Sequence, residues 1–177
     1  MTKHHELHCY DYVNQPYAQV CELLTSDALA IFRHATTRGA GAAATSELRV
    51  TLGALELTSE IDIAVESTSP SHSPLGKPAQ AITLSWRSPR RPGWFPTMNA
   101  TLTCYALSPT ETQLDFDGTY DPPLGLFGAV VDAVALHGFA QRAVENFVRE
   151  VATYLRDEIG RRGSAPVHAA IVVQPIR

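Results

Sequence analysis

Leu55, Leu57, Ser59, Ile61, Ile63 and Val65 alternate with Glu56, Thr58, Glu60, Asp62, Ala64 and Glu66, a period of two that predicts a long strand with one wet face. Just upstream, Leu48, Val50 and Leu52 alternate with Glu47, Arg49 and Thr51, and Gly53-Ala54 between the two runs suits a tight hairpin turn or a bulge. Three further alternating segments follow: Ala81–Arg87 with Ile82, Leu84 and Trp86 on one face, Met98–Leu107 with Met98, Ala100, Leu102 and Cys104, and Thr112–Tyr120 with Leu114, Phe116, Gly118 and Tyr120. The "SPTE" beginning at Ser108 is read as the turn between the last two. At the N-terminus, His4–Val13 has strand character with Leu7, Cys9 and Val13 on one face; Asp11 interrupts the pattern and leaves the register open.

The period changes elsewhere. Pro16 opens "PYAQVCELL", a short helix with Asn14 as candidate cap, and a second short helix is expected to start at Ser26 or Asp27 and to end before Gly39. From Leu124 to about Ile159 a long helix is predicted, because Ala140, Ala143, Val144, Phe147, Val151, Tyr154 and Leu155 recur at three and four while Arg142, Glu145, Arg149, Glu150, Arg156 and Asp157 form a wet side. "YDPPLG" joins the last strand to this helix: Asp121 can cap, and the paired prolines stop ladder bonding. The segments "STSPSHSPLGKPAQ" and "SPRRPGWFPT" read as loops.

The first half of the long helix is apolar all round. Leu126, Ala129, Ala133 and Leu136 continue the inward stripe, yet Phe127, Val130, Val131 and Val134 lie opposite, and Asp132 is the sole formal charge between Pro122 and Ala140. Four such side chains left in water would forgo roughly 1.5 kcal/mol or more each, so a cover is expected. The candidates are Trp94 and Phe95, the tail "HAAIVVQPI", a second copy of the chain in a homodimer, or a bend at Gly138 that re-aims the first turns.

A chain of 177 residues fits one domain, taken as 1–160, with 161–177 as a C-terminal tail. A net charge of -4 and a pI near 5.9 supply no basic field for phosphate backbones, so no nucleic-acid partner is expected. No apolar h-region and no run of membrane-spanning length is visible, which makes a cytoplasmic protein the expectation. Cys9, Cys21 and Cys104 are odd in number, far apart and set among apolar neighbours, the pattern of reduced buried thiols. No P-loop, Rossmann glycine fingerprint, "GxSxG" or metal-ligand spacing occurs, and neither a metal nor a cofactor is expected.

The order strand, two short helices, antiparallel strands and long C-terminal helix, with "LSWRS", "GWFPTMNATL" and "LDFDGTYDPPLGLFGAVVDAV", resembles the START-like superfamily, specifically bacterial polyketide cyclase/dehydrase-like members of the SRPBCC group. The resemblance implies an α+β helix-grip fold: a curved antiparallel sheet of about seven strands wrapped around the C-terminal helix, with two short helices after the first strand. It also implies a cavity between sheet and helix, faced by Ile61, Ile63, Trp86, Met98, Leu102, Phe116 and Tyr120.

Small residues on the helix, Ala129, Ala133 and Ala140, opposite aromatic strand positions point to open space of at least about 300 Å³. Trp94 and Phe95, in a loop between Pro92 and Pro96, are candidates for its rim. His137, beside the inward stripe, and Tyr120 are candidate acid-base groups. His4, His5 and His8 read as a solvated terminal cluster. The function expected is binding or carriage of a hydrophobic or amphipathic small molecule; the alternatives are a cyclase or dehydratase using His137 and Tyr120, and a protein-interaction module.

Overall fold

In the computed structural model, which describes residues 5–51, 62–87, 97–121 and 133–163, the alternating segments form β1 (His5–Val13), β2 (Asp62–His72), β3 (Pro78–Arg87), β4 (Thr97–Ser108) and β5 (Glu111–Asp121). They make one antiparallel sheet in the order β1-β5-β4-β3-β2. Period-two patterning sets the faces: Leu114, Phe116 and Tyr120 of β5 are buried inward while Asp117 and Thr119 stand out in water.

Two helices cover the inner face. α1 (Tyr17–Thr51) follows β1 directly, its ladder starting when Val20 N–H bonds the Pro16 carbonyl at 3.2 Å, and buried Thr112 of β5 anchors that corner by donating to the Gln15 carbonyl at 2.9 Å. α2 (Ala133–Gly163) buries Ala140, Val144, Phe147, Val148, Val151, Ala152, Leu155 and Ile159 against α1 and the sheet. Its last turn carries Arg161 and Arg162, which suit the negative helix end and pair with Glu158.

The two sheet edges are managed differently. α2 lies along β1, where Gln141 Nε2 donates to the His8 carbonyl at 3.1 Å and so occupies an edge acceptor. β2 carries a bulge at Val65/Ser67 and a proline at Pro70, both devices that blunt an edge. The expected loop "STSPSHSPLGKPAQ" is a hairpin instead: β2 runs to His72, β3 starts at Pro78, and the turn closes through Ser73 N–H to the Lys77 carbonyl at 2.9 Å. Gly76 sits there at φ +72°, a conformation that favours glycine.

Three expectations need correction. The described residues contain five strands where seven were expected. Leu48 and Val50 belong to α1, which reaches Thr51; Leu48 and Leu52 are also spaced i, i+4, so a short alternation there fits either period. The second short helix does not end before Gly39. Instead α1 is one long element broken only at Asp27 (φ -145°, ψ 32°), the position where a new helix start was expected. The Ala-rich stretch after Asp27 has enough helix propensity to carry the element through the glycines. The Gly53-Ala54 turn, the strand residues 55–61 and the helix residues 124–132 lie outside the described residues.

Candidate functional site

Strand register lines up one transverse row of inward side chains across all five strands. His5 stands opposite Tyr120, Tyr120 opposite Met98, Met98 opposite Trp86, and Trp86 opposite Ile63. This row lies at the end of the sheet where β1, β2 and β4 begin and β3 and β5 finish, and α2 begins near it. The segments 52–61, 88–96 and 122–132 all attach to that end.

One half of the row is polar-tipped. Tyr120 is 2% exposed, and its hydroxyl lies 3.3 Å from His137 Nδ1; the phenol donates when Nδ1 is unprotonated and accepts when Nδ1 carries the proton. His5 stacks on Tyr120 with ring centroids 5.2 Å apart and stands 6.0 Å from the His137 ring. Burial raises the Tyr120 phenol above its ordinary pKa, so at neutral pH it is a protonated group able to donate. His137 is exposed on α2 and His5 is half-buried, so the cluster runs from water into the interior.

The other half holds Trp86, 8% exposed, whose indole N–H is buried without a hydrogen-bond partner among the described residues. Its ring meets Phe147 edge-on at 4.8 Å and Phe116 at 6.2 Å. Trp86 and Tyr120 are two strand spacings apart, about 10 Å.

Behind this row side chains from the sheet and both helices are in contact. The next row is small at its centre, Leu7, Gly118, Ala100 and Leu84, and a Cβ at Gly118 would come within 2.9 Å of Phe116 Cε1 and 3.3 Å of Ala100 Cβ. Phe147 of α2 packs in this middle against Trp86, Phe116 and Phe32. Leu102 and Phe116 are paired neighbours one row further in, both fully buried. Further still, Cys104 is buried and its thiol pushed up to about 12, chiefly by desolvation; Cys9 is pushed up to about 12 for the same reason. Neither is a thiolate at neutral pH.

The outer face is a separate polar surface. His8 Nδ1 lies 2.8 Å from Asp117 Oδ1, and Tyr105 donates to Asp115 at 3.1 Å. Among the described residues no three His, Cys, Asp or Glu side chains are arranged to hold a metal ion, and no helix is long and apolar enough to cross a membrane.

Of the residues expected to form a site, the structure brings Ile63, Trp86, Met98, Tyr120 and His137 together at one end. Leu102 and Phe116 sit deeper. Ala133 is the first residue of α2, and Ile61, Trp94 and Phe95 lie outside the described residues. His5 was read with a solvated cluster, yet it shares parity with Leu7 and Cys9 and therefore points inward; that parity was the available signal. Phe147 was visible only as one member of the apolar stripe.

No family model and no curated protein matches the chain. Solved structures do. A conserved protein from Geobacillus kaustophilus aligns over 88% of this chain and 97% of its own, with a TM-score of 0.52 at 10% identity. The chain shares the fold of that protein. The Zhui aromatase/cyclase from Streptomyces sp. R1128 aligns over 92% of this chain and 100% of its own at 14% identity and a TM-score of 0.48, and norcoclaurine synthase from Thalictrum flavum over 87% of each chain at 7% and 0.40. At such identities the likeness concerns the fold alone.

Proposed function

We propose that this chain binds a hydrophobic or amphipathic small molecule, lipid- or polyketide-like, at the row-forming end of the interior between the sheet and α2. The observation that carries the reading is the row itself: apolar Met98 stands between two polar groups, Tyr120 with His137 on one side and Trp86 on the other, and apolar Ile63 continues the row beyond Trp86. Ligand sites combine apolar lining with a few placed polar atoms, and this row has that composition. Phe147 closes the inner limit, so the ligand space we assign lies between it and the segments that leave the sheet at this end, with Trp94 and Phe95 at the rim. Native mass spectrometry of the protein as purified is the test. A mass excess removable by organic solvent, or uptake of a hydrophobic dye that Ile63→Asp abolishes, is expected; a bare mass together with no dye uptake overturns the reading.

A second reading has one specific observation behind it, the hydrogen-bonded pair of Tyr120 and His137. A phenol and an imidazole in contact can hand a proton to a substrate oxygen and take one from carbon, as a cyclase or dehydratase requires. Conversion of a polyketone-like substrate that falls at least about a hundredfold in His137→Ala supports it, in keeping with the usual contribution of a general acid or base. Release of the same compound unchanged leaves the carrier. A cytoplasmic location and self-association through the apolar start of the C-terminal helix complete the proposal, the latter checked by sedimentation of the full chain.

A further inference from the structure

The indole N–H of Trp86 is the one buried side-chain donor among the described residues that has no partner. Leaving such a donor unpaired is destabilising, and native interiors rarely carry the cost without a reason. A plain apolar ring, Phe or Leu, would fill the same position against Phe147 and Phe116 without it.

A buried water is a poor solution here. Water needs two to four polar partners to be stable inside a protein, whereas among the described residues Trp86 has the rings of Phe116 and Phe147 beside it and, across the register, Met98 and Ile63. An anion is also a poor fit, because these described neighbours supply no positive charge and a buried charge without compensation is strongly destabilising. What suits the indole is a neutral acceptor carried on an apolar body.

We infer that Trp86 Nε1 anchors a carbonyl oxygen of the bound molecule, which makes the ligand class an uncharged, elongated or flat apolar ketone, aldehyde or ester. The inference rests on the ligand-binding reading above and adds the chemistry of the group recognised. The second polar point, Tyr120 with His137, lies two strands away, so a ligand whose other polar group is about 10 Å from the carbonyl satisfies both.

The test uses two dyes on the full chain: an acetyl-(dimethylamino)naphthalene, whose emission moves to the red when its ketone accepts a hydrogen bond, and the same naphthylamine without the acetyl group. The ketone is expected to bind about tenfold more tightly than the carbonyl-free dye. In Trp86→Phe, which keeps a ring and removes the donor, that preference falls to about one, whatever the smaller ring does to the affinity for both dyes alike. The sequence contains two tryptophans, so proton–nitrogen NMR of the unaltered protein resolves the question without relying on the variant's folding. The Trp86 indole N–H signal, assigned through Trp86→Phe or by contrast with Trp94→Phe, moves downfield with the ketone and not with its analogue. A ketone preference that survives in Trp86→Phe, equal binding of the two dyes, or a Trp86 signal unmoved by bound ketone overturns the inference and leaves the ligand-binding reading standing. If neither dye binds the folded protein, that reading fails as well.

Discussion

Two regions of the same interior, a few residues apart on the same strands, solve opposite problems. In the middle, Phe147 packs edge-on against Phe116 and Phe32 over a gap left by Gly118 and Ala100, and these side chains are all apolar. At the row of His5, Tyr120, Met98, Trp86 and Ile63 the side chains are as large, yet they carry an imidazole, a phenol in contact with the His137 imidazole, and an indole N–H with no partner among the described residues. Close packing makes the first region a source of stability. Polar atoms held in an apolar setting make the second a region where stability is given up for recognition.

The largest way to break this contrast is Phe147→Ala. Removing a fully buried ring that touches three other aromatic side chains is expected to cost about 3–5 kcal/mol, read as a lower midpoint in denaturant unfolding with unchanged slope. A loss below about 1 kcal/mol would mean that the middle is not the closed core described here.

Alkaline titration ranks second. Cys104 is held neutral by burial with its pKa raised from 9.0 to about 12, so the folded state binds that proton more tightly than the unfolded chain. Stability from this group is therefore complete below pH 9 and declines as pH rises from there toward about 12, by an amount on the order of a few kcal/mol. In Cys104→Ala the slope of stability against pH over that window is expected to flatten by up to one proton; an unchanged slope would refute the assignment.

Gly118→Ala sharpens the comparison from the other side. The added methyl meets Phe116 and Ala100 closer than carbon atoms pack, and about 1–3 kcal/mol of overpacking is expected in thermal or denaturant unfolding. Smallest in stability is Tyr120→Phe, which removes one long hydrogen bond to an exposed imidazole and should change unfolding by less than about 1 kcal/mol. Its effect belongs on ligand affinity. A variant equally weakened in both would place Tyr120 with the core.

Much of this was legible in the chain because it depends on neighbours in sequence. Alternation along 98–106 and 112–120 announced two strands and their inward faces, since side chains on a strand point to opposite sides whatever lies beyond. The i, i+3, i+4 stripe announced the second half of the C-terminal helix for the same reason. Local pattern failed where it was short or where composition competed with it, as at Leu48 and Val50, which lie in α1.

Only the tertiary structure decided what each inward residue does. Tyr120, Met98 and Trp86 come from three strands far apart in sequence, and nothing short of strand register makes them one row or sets His5 at its end. The same holds for burial without a partner. Trp86 looks like any core tryptophan in sequence; its N–H has no partner among the described residues, and the rings packed on it arrive from β5 and from α2. Local periodicity determines which way a side chain points, while hydrogen-bond satisfaction depends on long-range contacts that folding alone brings together.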